Sequence, residues 1–394
     1  MVWEADEALA AVDETFDFLL SITPYNLAEA WKDFEDSGFR RPPAYRYRPL
    51  TFDPALLKRQ LYNVVLDPLE DPALADLFRD KRNELALQLT MLENRETPRF
   101  LYGSLQLHGS IDEPLRALAK GLLGGIAPAE GSKEAGSEDG EPDGGAFLDA
   151  EDFARLARVE VDTYRKETEA FDPRIEIRED VTSLMVSRGN LLIAKGTRIP
   201  APRADALLQH EVATHMLTHF NGSQQRLRLL SCGLPAHEEL QEGLAVVAEY
   251  LVGGLSRTRL RLLAARVLAC ALCADGAEFL DTFEILHREH GFSARTAYQV
   301  AMRVYRGGGF VKDHVYLKGL ARLLCYLDNG GSLEPLWVGK FGFDHVPIIE
   351  ELLWRGVLGP PSLEPRYLGM DAPRSRLEVL REGVSVLDLI SKEN

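Results

Sequence analysis

From Gln209 to His219 the sequence reads Gln-His-Glu-Val-Ala-Thr-His-Met-Leu-Thr-His, with three imidazoles and a carboxylate inside ten residues, in a chain that has 9 histidines. Imidazole and carboxylate are the groups that bind divalent zinc and activate a water on it. Their spacing constrains the backbone. His210 and His215 are five apart, and five steps on a regular helix turn a side chain by about 140°, too far for two rings to meet at one ion. A π turn, carrying one extra residue, would return both rings to one face, and such turns concentrate at functional sites. A regular helix offers instead Glu211, His215 and His219 at steps of four, in the carboxylate-plus-histidine style of metal-binding bundles. Spacing leaves both arrangements open. Downstream, Gln241-Glu242-Gly243-Leu244-Ala245 supplies a further carboxylate, Glu242, able to complete a ligand set.

His210-Glu211-Val212-x-Thr214-His215, then Asn221-Gly222, then Gln241 to Ala245, resembles a family whose bacterial members are named for the Gln-Glu-Gly-Leu-Ala (QEGLA) motif and described as modulating flavohaemoglobin expression. Its animal relatives are the microtubule-associated tyrosine carboxypeptidases, zinc metallopeptidases with an H-E-x-x-x-H motif. The resemblance runs from about Asp180 to about Tyr326, with an echo in Thr23-Pro24-Tyr25-Asn26. It implies one zinc ion held by His210, His215 and Glu242, with Glu211 as general base. His219 stands outside the family pattern and is expected to be a neighbour. The implied activity is a carboxypeptidase acting on a peptide or protein C-terminus. The other reading is a regulatory or binding protein whose metal is inert. Glu211 favours catalysis, because a structural site has no use for a base beside its ligand.

Composition frames these expectations. A chain of 394 residues, 45% hydrophobic, can fill a sizeable core. A formal charge of −16 argues against nucleic acid as partner and against an acidic protein tail as substrate, unless a local basic patch prevails. Four cysteines in apolar segments, an acidic start and the absence of a long apolar run predict a cytoplasmic protein with no membrane segment. Cys270 and Cys273 read as helix packing.

Helical patterns dominate, with one small antiparallel sheet beside the metal-site helix, so the fold class is α+β of the zinc-peptidase kind. We expect a helical N-terminal part, residues 1–127, packed on the catalytic core. An acidic Gly/Ser/Glu insertion follows at 128–146, too poor in hydrophobic residues to be ordered. The catalytic core occupies 147–394. Ala8, Val12, Phe16 and Leu19 make one helical stripe, Leu27 to Phe34 another, and Pro54 to Glu93 continues helical. Tyr102-Gly103-Ser104 reads as a turn. Phe147 to Ala170 reads as a helix burying Phe153, Leu156, Val159 and Tyr164. Ile175-Glu176-Ile177, Val181 to Val186 and Leu191-Leu192-Ile193 alternate like strands around Arg188-Gly189-Asn190, a hairpin signal. One of these strands, in 181–195, either roofs the helix or pairs with an extended substrate.

On the motif helix, Glu249 lies seven residues after Glu242 on the same face, able to support a ligand or to face solvent. Glu238 and Glu239 favour that helix's start, and His237 reads as a surface neighbour. Arg303, Arg306, Lys312 and Lys318 form a local basic patch around Gly307-Gly308-Gly309. No G-K-[ST] follows the glycines, so a phosphate loop is not expected. The glycines allow close approach to a substrate or to the metal helix. Arg306, Lys312 or Tyr316 could bind the terminal carboxylate or steady the oxyanion, since arginine offers a planar double donor.

Overall fold

Aspartates set many of the helix starts. Asp53 and Asp71 each precede a proline, and each side chain accepts the backbone N–H two residues on, at 2.9 and 3.1 Å. Those caps satisfy donors that a helix start leaves open, and proline at the first turn loses nothing by lacking its own. The helices Pro54–Asn63 and Pro72–Glu93 follow. Asp17 acts similarly, with a different consequence. Its carboxylate accepts from Leu20 N–H at 2.8 Å and starts a short helix, Phe18–Ser21, separate from Val2–Asp13. The stripe expected through Leu19 is therefore two helices, because the aspartate competes with helix continuation.

The computed structural model describes residues 1–67, 69–127, 146–181 and 183–390. The insertion expected at 128–146 lies outside them except for Ala146. The fold is α+β and mostly helical. One contiguous apolar core reaches from Ala5 to Leu389, so the N-terminal helices share it with the rest of the chain. Among the described residues no helix is long and apolar enough to cross a membrane.

Two local expectations need correction. Gly103 lies within the helix Arg99–His108, not in a turn, and a Cβ there would sit 2.4 Å from Met91 Cγ. The glycine permits close packing of two helices rather than a reversal. Phe147–Asp149 is a strand, with the helix confined to Ala150–Arg165, and Val159 is 65% exposed while Phe153 and Tyr164 are buried.

There are two small sheets among the described residues. β1 (Phe147–Asp149) pairs antiparallel with β5 (Arg198–Pro200). The other has the order β2-β4-β3, formed by Ile175–Arg178, Asn190–Ala194 and Met185–Ser187. β3 and β4 form the expected hairpin, and β2 runs parallel to β4. This leaves β3 as an edge strand, lying against the segment Glu211–Met216.

The motif helix, His237–Leu251, runs through the centre, with every residue from Glu239 onward buried. It meets the helix Val315–Asp328 backbone to backbone. A Cβ on Gly243 would lie 2.6 Å from Gly319 O, and one on Gly319 2.0 Å from Glu239 O. Gly243 is thus required by helix packing, and it fixes how deep its neighbour Glu242 sits.

Candidate metal centre

The helix that begins at Ala204 changes at its midpoint. Ala204–His210 is α-helical, Glu211–Met216 is a π turn, and Leu217–Gln224 resumes the α form. Widening displaces the hydrogen-bond register, and the Thr214 hydroxyl donates to Gln209 O at 3.0 Å across the turn. The extra residue lets His210 and His215 face each other, with ring centroids 5.0 Å apart and planes at 77°.

Glu242 comes to both rings from the motif helix. Its Oε2 lies 3.6 Å from His210 Nε2 and 3.6 Å from His215 Nε2. That oxygen is buried and has no hydrogen-bond partner among the described residues. Donor atoms about 2.1 Å from a tetrahedral zinc stand roughly 3.4 Å from one another, so this trio has the separations such an ion requires. A buried carboxylate oxygen aimed at two imidazole nitrogens and bonded to neither is costly unless a cation joins them.

His219, of the competing stripe, is not among the donors that converge with His210, His215 and Glu242. His219 Nδ1 lies 3.0 Å from Ser231 O, and its ring fills the space over Gly189, where a Cβ would be 2.2 Å from His219 Cδ2. Burial pushes the His219 imidazole down to about 4.

His210 is held from behind. Its Nδ1 lies 2.8 Å from Glu249 Oε1, and Glu249 is anchored by Arg203 at 2.8 Å and Arg259 at 3.1 Å. With the Nδ1 proton given to Glu249, the lone pair belongs to Nε2, which faces Glu242. Burial opposes a charged Glu249, but Arg259 and Arg203 hold its carboxyl well below the usual range. Glu249 is fully buried, so the solvated alternative is excluded. Burial likewise opposes a charged Glu242, yet Lys312 and the two imidazoles hold its carboxyl well below 4.5. Lys312 Nζ lies 3.3 Å from Glu242 Oε1, the oxygen turned away from the rings.

His210, His215 and Glu242 border a cavity of about 230 Å³. Glu211 lines it beside His210 and His215. Met185 and Val186 of β3 form one side. Arg303, Arg306, Lys312, Tyr316 and Lys340 line it as well, so all three sequence-proposed substrate contacts face the same space. The patch itself is largely neutralised: Arg303 pairs with Asp313, Lys312 with Glu242 and Lys318 with Glu239. Arg306 is buried, donates to Thr23 Oγ1 at 3.2 Å, and lies 5.2 Å over the Phe310 ring. Its Nε has no partner among the described residues, and burial pulls the guanidinium down to about 10.

Sequence reasoning missed several groups. Leu19, Leu20 and Thr23 close the cavity from the N-terminal part, and the Thr23-Pro24 echo was the signal available for them. His237 is not a surface neighbour: its side chain is 20% exposed and lines the cavity, with Nδ1 held at 2.9 Å by Leu234 O. The triple glycine does not approach the metal helix. Gly307, Gly308 and Gly309 all have positive φ and lie against Phe100, Thr97 and Leu101. Lys340 and Gln241 also border the cavity with no role foreseen.

Fold and cleft describe an α+β protein in which an edge strand runs beside a cavity lined by carboxylate, imidazole and cationic side chains. The family model described as microtubule-associated tyrosine carboxypeptidase matches residues 32–384, and the chain belongs to that family. The match extends well beyond the 180–326 stretch that carries the motifs. Membership implies a peptidase of carboxypeptidase type, acting on a protein or peptide C-terminus. No curated protein and no solved structure matches the chain.

Proposed function

We propose that the chain is a zinc-dependent carboxypeptidase in which His210, His215 and Glu242 hold one zinc ion and Glu211 is the general base. The observation that carries this reading is the unpartnered Oε2 of Glu242, equidistant from two imidazole nitrogens. Zinc, when bound, supplies Lewis acidity toward a water and toward the scissile carbonyl.

The chain's own residues do the rest. Glu211 takes a proton from the attacking water and returns it to the departing amide nitrogen. Glu249 fixes the His210 tautomer. The edge of β3 pairs with the substrate backbone by main-chain hydrogen bonds, which supports an extended peptide in the cleft. Arg306, a buried cation with no ion pair among the described residues, takes the terminal carboxylate. Lys312 and Tyr316 border the same space and steady the carbonyl oxygen as charge develops. Residues 1–127 supply one wall through Leu19, Leu20 and Thr23, and 147–394 supply the catalytic groups. Cys232, Cys270, Cys273 and Cys325 are free thiols, which supports a reducing, cytoplasmic setting.

The test is digestion of a peptide library by wild type and Glu211→Gln, with bound metal measured on both. A peptide ending in tyrosine, the residue in the family description, is the first to try. Loss of the base should slow release of the last residue by roughly 10²–10⁴-fold while zinc content is unchanged. Equal cleavage by both proteins would remove the peptidase reading.

A further inference from the structure

The two imidazoles of the centre are backed unequally, by residues of a single helix. Behind His210 stands Glu249, a carboxylate clamped by two arginines. Behind His215 stands Gln241, whose Oε1 lies 3.5 Å from His215 Nδ1 and 2.7 Å from the Thr218 hydroxyl. Gln241 is 3% exposed and lines the cavity, and its Nε2 has no partner among the described residues. We infer that Gln241 is the positioning residue of His215, turning its Nε2 toward Glu242 as Glu249 does for His210.

The chemistry supports this orientation of the amide. His215 Nε2 faces the Glu242 oxygen, so the ring proton belongs on Nδ1, which must donate. The Thr218 hydroxyl has a single proton, for which Gln241 Oε1 at 2.7 Å and Thr214 O at 2.8 Å are alternative acceptors. An Nδ1–H that must donate selects the amide oxygen over its nitrogen, and the hydroxyl, able to donate or accept, is compatible with that choice. Leaving Nε2 unpartnered is what this orientation costs, and holding His215 offsets it.

A neutral amide suits this place. Glu238 and Glu242 flank Gln241 on a helix that also carries Glu249, and another carboxylate would add like charge to a buried stripe. His215 is thereby left with the weaker backing. At 15% side-chain exposure against 6% for His210, it is also the ring nearer solvent.

The inference rests on the proposed zinc site, and its test separates the two. The full chain is stripped of metal and titrated with zinc against a chelator of known affinity, alongside melting of the metal-free protein. Gln241→Ala should weaken zinc binding by roughly 10–100-fold with little change in metal-free melting. Gln241→Glu keeps an acceptor for Nδ1–H and should hold zinc as tightly as wild type or tighter, while melting lower without metal. Thr218→Val, which removes only the hydroxyl that pins the amide, should move affinity in the direction of Gln241→Ala by less. It carries the test together with Gln241→Glu if the alanine variant does not fold. Affinity of Gln241→Ala within about two-fold of wild type overturns the inference, given the range expected of such partners. So does a Gln241→Glu variant as weak as the alanine one. A wild-type chain that takes up no zinc overturns the metal site itself, which is a different result.

Discussion

Arg303 and Arg306 are one helical turn apart in sequence and border the same cavity, yet they belong to different regions of the molecule. Arg303 is part of the scaffold. Its guanidinium forks onto Asp313, which is 1% exposed and also lies 3.8 Å from Arg266. Arg306 is part of the cleft, buried with a threonine hydroxyl and an aromatic face for company. The two lysines divide the same way. Lys312 is ion-paired to Glu242, and its pKa is raised because Glu242, Tyr316 and Glu238 outweigh burial. Lys340 has no ion pair among the described residues, and burial pulls it down to about 8. A basic patch in sequence is therefore not a basic surface in space. Acids from distant elements pair with some cations and leave others without an ion pair among the described residues.

The largest effect expected from this division is on stability. Arg303→Met leaves Asp313 buried without its hydrogen-bonded partner, with Arg266 at 3.8 Å and the field of Arg306 as remaining cations. Removing one partner of a buried pair costs about 3–5 kcal/mol. Denaturant unfolding should show that loss. The deficit should shrink in acid: burial opposes a charged Asp313, but Arg303 and Arg266 hold its carboxyl below 3.8, so the pair's stabilisation is present above that value and fades as pH falls through the folded pKa. Arg306→Met should behave oppositely, leaving stability unchanged or improved and raising KM for free-acid peptides. Loss of a charge-assisted pair with a carboxylate corresponds to about 1.5–3 kcal/mol, or roughly 10–150-fold. Peptides amidated at the C-terminus should show no difference between variant and wild type. A destabilised Arg306→Met with normal KM would erase the distinction between the two arginines.

The sequence shows the proposed metal centre more clearly than its surroundings, for physical reasons. His210, Glu211 and His215 are local, and a five-residue separation admits few backbones, so the π turn is one of two readable outcomes. Local spacing cannot decide between them, because the residues that occupy His219, Gly189 and Ser231, come from elsewhere in the chain. A π turn alone decides nothing either. A second one at Ile285–Glu289 carries His287, whose Nδ1 lies 2.8 Å from Phe292 O at a helix end. What separates the two is a carboxylate arriving from a distant helix. Gly103 and Gly243 show the same limit: each reads as a break or a motif letter, and each is a contact between helices whose partner lies elsewhere. The α+β class is legible because period 3.6 and period 2 are both local. The cavity wall at Leu19 and Thr23 is not, since some 190 residues separate it from His210.

Lys340 gives the smallest effect and the sharpest sign. Its pKa is about 8 in the folded chain against 10.5 for an ordinary lysine, burial being the main cause. Below pH 8 both folded and unfolded states are protonated, and the folded state carries the full cost of a buried cation. Between 8 and 10.5 the folded chain releases its proton first, so that cost is relieved as pH rises; above 10.5 it is gone. Lys340→Met should therefore stabilise the folded chain at pH 7 by on the order of 1–3 kcal/mol, at 1.36 kcal/mol per pKa unit, and so raise its melting temperature. The gap to wild type should close by pH 10.5. The same substitution in the paired lysine, Lys312→Met, should lower melting, because it strips Glu242 of its cation. Opposite signs for two lysines lining one cavity would establish that ion pairing, and not burial alone, sets what each contributes to stability. A pH-independent gain for Lys340→Met would instead assign its effect to packing.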